Sequence, residues 1–104
     1  MVYLGILQKA YLVIWGLLQH SIPDIGKEII GLIKKNTRVI FIESPGSLTF
    51  EIQDIPMLVE VAKKNNLITM MDNTWATSLF YKPLCNGIDI SIQSATKYIV
   101  GHSD

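Results

Sequence analysis

Residues 38–44 read RVIFIES and residues 67–72 read LITMMD, and these two stretches decide the fold of the 104-residue chain. Both are short, mainly apolar runs rich in β-branched residues, as in strands that are covered on both faces of a parallel sheet. The segment between them has the pattern of an amphipathic helix. A strand, a helix and a second strand in this order predict an α/β fold with a right-handed crossover.

The helix between the two strands has clear end signals. Asp54 is a good N-cap, Pro56 is tolerated in the first turn, and the helix should end at residues 63–66. Its apolar positions are Ile55, Leu58, Val59 and Ala62.

Another helix is predicted ahead of the first strand. Ser21 or Asp24 could cap it, and it should run to Lys35, with Lys34 and Lys35 in its last turn and Asn36 as its stop. Its apolar face would be formed by Ile25, Ile29, Leu32 and Ile33.

Polar side chains cluster after the predicted strands. The strand at 67–71 is followed by Asp72, and a third strand, Ile88–Gln93, is followed by Ser94, Thr96 and Lys97. In open parallel sheets ligands bind beyond the carboxyl ends of the strands. The sequence therefore places these candidates at one edge of the sheet.

A carboxylate and an amine at such an edge suit pyridoxal phosphate. The Lys97 amine would form a Schiff base with the cofactor aldehyde, and Asp72 would pair with the pyridine nitrogen. Hydroxyl donors for the phosphate would come from Ser94 and Thr96. Simpler interpretations stay open: a surface lysine, an Asx turn at residues 72–74, and hydroxyls that satisfy nearby backbone groups.

The composition limits the expected binding partners of the protein and its expected cellular compartment. The formal net charge is zero, which does not favour nucleic acid or an anionic membrane surface. The single Cys85 cannot form an intrachain disulfide, so a reducing, cytoplasmic location is expected. His20 and His102 lack metal-ligand spacing, so no metal is expected. For the apolar residues 1–18, a buried helix or strand, a disordered or non-native tail and a membrane anchor all remain open.

Several long stretches are similar to one known family. They are NTRVIFIESPGS (36–47), EIQDIP (51–56), MMDNTWATSLFYKPL (70–84) and GIDISIQSATKYIVGHSD (87–104). On these motifs the chain resembles the trans-sulfuration family of pyridoxal phosphate-dependent enzymes. Ser47 and Trp75 favour its cystathionine β-lyase branch. The resemblance covers residues 26–104, which it identifies as a partial cofactor-binding domain, whereas residues 1–25 are a divergent apolar segment.

The resemblance implies a fold-type I, aspartate aminotransferase-like α/β domain with a mainly parallel sheet. Lys97 would be the catalytic residue and would hold the cofactor, with Asp72 on the pyridinium, Thr74 supporting the ring, and Ser94 and Thr96 on the phosphate. The implied reaction cleaves cystathionine to homocysteine, pyruvate and ammonia, in a family that forms homo-oligomers.

Other expected parts of the family pattern are not found in the sequence. These are a glycine-containing phosphate loop, a tyrosine that stacks on the cofactor, and the arginine that holds the substrate carboxylate. Arg38 begins a strand at the end opposite the site and is a poor replacement. We therefore expect an inactive central fragment; a gene remnant without enzymatic function and half of a split enzyme are the alternatives.

Overall fold

The computed structural model describes residues 11–14, 25–45 and 52–103, which form a four-stranded parallel sheet with helices. The predicted cap at Ser21 or Asp24 and the residues Gly46 and Ser47 lie outside the described residues. In chain order the elements are β1 (Tyr11–Ile14), α1 (Ile25–Leu32), β2 (Val39–Glu43), α2 (Ile55–Lys64), β3 (Ile68–Asp72), α3 (Thr77–Phe80), a short 3-10 helix (Leu84–Asn86) and β4 (Ile90–Ile92).

The sheet has the order β1-β2-β3-β4, so neighbouring strands also follow one another along the chain. In the register, Glu43 of β2 lies beside Asp72 of β3, which in turn lies beside Ile92 of β4. All three strands therefore end at the same edge of the sheet. Of residues 1–18, the described Tyr11–Ile14 are a strand that pairs with β2.

Helices α1 and α2 pack on one face of the sheet. Alternate residues of β2 and β3 point to opposite faces, because the side-chain period of a strand is two. The buried core joins the two helices to that face through Ile29, Ile40, Ile42, Ile55, Leu58, Val59, Val61, Ala62, Leu67, Met71 and Ile88. Phe41 and Met70, on the other face, are only half-buried. Strand alternation places Glu43 and Asp72 on this second face, away from the helices.

The signals for α2 are confirmed in the structure. The Asp54 Oδ1 atom accepts a hydrogen bond from the backbone N–H of Met57 at 3.1 Å, and Pro56 lies in the first turn. At the other end, the Asn65 side-chain amide donates to the carbonyl of Val61 at 2.9 Å. A polar cap at each end thus fixes the length of the helix that covers β2 and β3.

The predicted end of α1 is wrong, because the helix stops at Leu32 and the two lysines lie beyond its last turn. Thr37 explains the difference. Its hydroxyl accepts from the Lys34 N–H at 2.9 Å, and its own N–H donates to the Lys34 carbonyl at 3.0 Å. These local bonds form a turn that competes with the helix for the same backbone groups.

The strand predicted at Ile88–Gln93 corresponds to β4 and is shorter than predicted, since β4 begins at Ile90 and ends at Ile92. Ahead of it, the Asp89 Oδ2 atom accepts hydrogen bonds from both the N–H and the hydroxyl of Thr69, at 2.8 and 2.7 Å. The Asp89 N–H donates to the Thr69 hydroxyl at 2.9 Å. A side chain therefore takes the place of ladder bonds at the start of this strand. No helix in the described part of the chain is long and apolar enough to cross a membrane.

Candidate functional site

Asp72 and Thr74 form a tight pair at the carboxyl end of β3. The Asp72 Oδ1 atom accepts from the backbone N–H of Thr74 at 2.9 Å and from its hydroxyl at 2.6 Å. The first bond makes this an Asx turn, the simpler interpretation of the sequence. The second is a short, charge-assisted bond of the kind that holds a carboxylate in one orientation. Both bonds fall on Oδ1, and no bond to Oδ2 is seen within the described residues.

The Thr74 hydroxyl also joins β3 to the segment after β4. It accepts a hydrogen bond from the Ser94 N–H at 2.9 Å. The Ser94 and Thr96 hydroxyl oxygens lie 3.0 Å apart. Asp72, Thr74, Ser94 and Thr96, which are separate in sequence, therefore form one half-buried network at the sheet edge.

Lys97 joins this network through its backbone. Its N–H donates to the carbonyl of Ser94 at 3.2 Å, and the turn continues with the Val100 N–H donating to Ala95 at 2.9 Å. The Lys97 side chain is exposed. The structure thus brings all five predicted site residues to the same edge, four through side chains and Lys97 on the turn that follows.

Of two other residues that the sequence singles out, Arg38 lies away from this edge, whereas Trp75 directly follows Thr74. Arg38 precedes β2 at the opposite end of the sheet, where its guanidinium donates to the carbonyls of Lys35 and Thr37 at 2.8 and 2.9 Å. Trp75 is 55% exposed and is not a packed core residue. Within the described residues, no group of three His, Cys, Asp or Glu side chains could hold a metal ion.

The sequence predicts Asn73 only as a turn residue. In the structure it is buried and forms hydrogen bonds to two other segments at this edge. Its side chain is only 1% exposed. Its N–H donates to the carbonyl of Ile92 at 2.8 Å, and its side-chain amide donates to the carbonyl of Tyr81 at 3.0 Å. The only signal in the sequence was its position between Asp72 and Thr74.

Comparison with known proteins identifies relatives of the whole described sheet. The sequence model of the family described as "Cys/Met metabolism PLP-dependent enzyme" matches residues 8–104. A Saccharomyces cerevisiae protein named "Putative cystathionine beta-lyase" is 61% identical over 82 residues, which cover 79% of this chain and 24% of that protein. The L-alanine/L-glutamate racemase of Wolbachia pipientis is 49% identical over 81 residues, covering 78% of this chain and 20% of the racemase.

The fold has a close counterpart among solved structures. The cystathionine gamma-lyase of Lactobacillus plantarum, crystallised with L-serine, superimposes with a TM-score of 0.67 and 36% sequence identity, covering 73% of this chain and 20% of that one. The predicted fold class, the mainly parallel sheet of a fold-type I large domain, is confirmed. The chain spans between 20% and 24% of the length of these relatives.

Proposed function

Because this chain belongs to the Cys/Met metabolism PLP-dependent enzyme family, we propose that it forms the cofactor-contacting sheet edge of a carbon–sulfur lyase. The observation that carries the proposal is the hydrogen-bonded network from Asp72 through Thr74 to Ser94 and Thr96. Lys97 follows on the next turn. The pyridinium ring, the phosphate and the aldehyde of pyridoxal phosphate would each have a complementary side chain along this edge.

The residues present suit pyridoxal phosphate. Oδ1 of Asp72 accepts both bonds from Thr74, which would leave Oδ2 to pair with the pyridine nitrogen. The adjacent hydroxyls of Ser94 and Thr96 supply donors for a phosphate. The exposed Lys97 amine is available to attach the cofactor covalently. When bound, the cofactor supplies an electron sink for a negative charge that develops on the substrate.

The side chains of this edge have distinct tasks in the proposed reaction. Asp72 would hold the cofactor ring by its nitrogen, and Thr74 would keep the carboxylate in its orientation. Once the substrate amine has displaced it from the cofactor aldehyde, Lys97 Nζ would accept the proton that leaves the α-carbon of the substrate, as a general base. Removal of that proton precedes cleavage of the bond between the β-carbon and sulfur.

We propose cystathionine as the substrate, giving homocysteine, pyruvate and ammonia. Identity of 61% to the yeast relative supports this choice, as does the pair Ser47 and Trp75 in the sequence. The racemase relative supports a second candidate, amino-acid racemisation, because exchange of the α-proton would use the same lysine. We also propose a location in the reducing cytoplasm, because the single Cys85 cannot form an intrachain disulfide.

We propose further that these 104 residues do not turn over cystathionine by themselves. Bidentate capture of a substrate carboxylate favours an arginine, and Arg38 lies at the opposite end of the sheet. Asp72 and Lys97 can bind the cofactor and move a proton, but neither can hold a substrate carboxylate with two parallel hydrogen bonds, and Arg38 is the single arginine of the sequence. Rate enhancement falls steeply when the reacting atoms are not held in place.

Covalent trapping tests the cofactor part of the proposal. The chain is mixed with pyridoxal phosphate, reduced with borohydride and digested, and the labelled lysines are mapped. We expect label at Lys97 to exceed label at the exposed Lys63 and Lys64 of α2, and Asp72→Ala to reduce only the Lys97 label. Label that favours α2 would mean surface modification and would contradict the site.

Assays for both products test the reaction. Pyruvate release from cystathionine is followed with lactate dehydrogenase, and racemisation of alanine and glutamate by chiral chromatography. We expect neither above the rate of free pyridoxal phosphate. Pyruvate release that is lost in Lys97→Ala would show a self-sufficient lyase, whereas release that requires a second polypeptide would support a split enzyme. Racemisation without pyruvate would favour the second candidate.

A further inference from the structure

Asn73 is the most deeply buried polar side chain at the proposed site, and it contacts three separate parts of the chain. It follows β3 directly, its N–H bonds to Ile92 at the end of β4, and its side-chain amide bonds to Tyr81 after α3. The bond to Ile92 comes from the backbone, whereas the side chain itself holds the connection after α3 against the end of β3.

Stability by itself accounts poorly for an asparagine here. Its Oδ1 atom is buried and has no hydrogen-bond partner among the described residues. A buried acceptor without a partner is costly, and this cost offsets much of what the amide bond to Tyr81 contributes. An apolar side chain with the same heavy-atom branching would avoid that cost. A role in geometry explains the residue better.

We propose that Asn73 is a positioning residue that fixes the spacing between the carboxyl ends of β3 and β4. The proposal deepens the function proposed above and rests on it. Thr74 follows Asn73 and must reach the Ser94 N–H, which lies 2.9 Å from its hydroxyl. If Asn73 releases Tyr81, the end of β3 can move relative to Ser94. The Asp72 carboxylate then loses its fixed position relative to Lys97.

Amide hydrogen exchange tests this role without any cofactor. In Asn73→Leu, an apolar variant with the same number and branching of side-chain heavy atoms, we expect the Ser94 N–H to exchange at least tenfold faster while the Asp89 N–H is unchanged. Thr69→Val is the matched control, since Thr69 is also 1% exposed and bonds to Asp89 at the other end of the same strand. The control should accelerate exchange at Asp89 and spare Ser94.

The opposite results would overturn the proposal. Equal acceleration at both amides in Asn73→Leu means general destabilisation, and an unchanged Ser94 rate means that Asn73 does not hold the edge. Should Asn73→Leu lose all protection, Asn73→Asp carries the same expectation, because it keeps the shape and removes the donor to Tyr81.

Trapping of pyridoxal phosphate separates this proposal from the proposed function. Label at Lys97 should fall in Asn73→Leu and persist in Thr69→Val. If the unaltered chain shows no preference for Lys97 but the exchange pattern holds, the proposed function fails and the positioning of the strand ends by Asn73 stands. If Lys97 is labelled equally in all three proteins, positioning by Asn73 is refuted and the cofactor site stands.

Discussion

Thr74→Val should separate the two strand ends with minimal change in shape, because valine replaces only the hydroxyl by a methyl group. The hydroxyl donates to Asp72 at 2.6 Å and accepts from the Ser94 N–H at 2.9 Å. The substitution removes both bonds at once. It leaves the backbone bond from the Thr74 N–H to Asp72 in place.

The expected loss follows from the type and burial of the two bonds. A hydrogen bond to a charged group contributes about 1.5–3 kcal/mol and a neutral one about 0.5–1.5 kcal/mol. Asp72 and Ser94 are only half-buried, so solvent screening reduces both contributions. We expect a local loss of about 1–3 kcal/mol. Each 1.4 kcal/mol is a factor of ten, so the Ser94 amide should exchange roughly 5–140 times faster.

Residue-resolved hydrogen exchange is the assay, with the Asp89 amide as an internal reference at the other end of β3. Thr74→Ser is the control variant, since it restores the hydroxyl and should return the Ser94 rate to that of the unaltered chain. A Ser94 rate that is the same in Thr74→Val as in the unaltered chain would refute the link between the strands. Equal acceleration at Ser94 and Asp89 would also refute it.

Two further predictions concern stability. The hydrogen bonds from Thr69 lower the pKa of Asp89, first through the backbone N–H and then through the hydroxyl. Its contribution is therefore complete above the unfolded pKa of about 3.9 and is lost as the pH falls through the lower folded value. Asp89→Asn should make urea unfolding less dependent on pH below about 4; an unchanged dependence would contradict this. Gly87 has a φ of +86°, and a Cβ there would lie 2.9 Å from Val59 Cγ1. Gly87→Ala should cost at least about 1–2 kcal/mol, whereas Gly31→Ala, in the open on α1, should stabilise by about 0.5–1 kcal/mol; equal urea midpoints would refute the difference.

The sequence predicted those features that depend on local chemistry and on strand polarity. The Asp54 cap and the common edge of the strand ends are of this kind, since a capping side chain and the direction of parallel strands can be inferred from short segments. The end of α1 was missed because Thr37, beyond the helical pattern, bonds back to Lys34. The start of β4 was missed because its competitor, Thr69, lies twenty residues away.

The burial and the contacts of Asn73 could not be predicted from the sequence for a related reason. Its partners, Tyr81 and Ile92, are distant along the chain, and its burial depends on three segments that meet only in the fold. An asparagine after a strand-ending aspartate is typical of a turn, and the structure does contain that turn. The pattern does not indicate that the buried Asn73 side chain also anchors this turn, through its hydrogen bond to the carbonyl of Tyr81.

The turn at residues 72–74 and the proposed cofactor site are therefore compatible. Both bonds from Thr74, including the one that makes the Asx turn, fall on Oδ1 of Asp72, and its second oxygen has no bond to a described residue. Strand alternation places Asp72 on the face opposite α1 and α2, away from the packed core. A second link, from the Ser94 N–H to the Thr74 hydroxyl, connects this turn to the segment after β4. That link makes the position of Ser94 and Thr96, the candidates for phosphate binding, depend on the position of Asp72, as the proposed cofactor would require if both its ends are held.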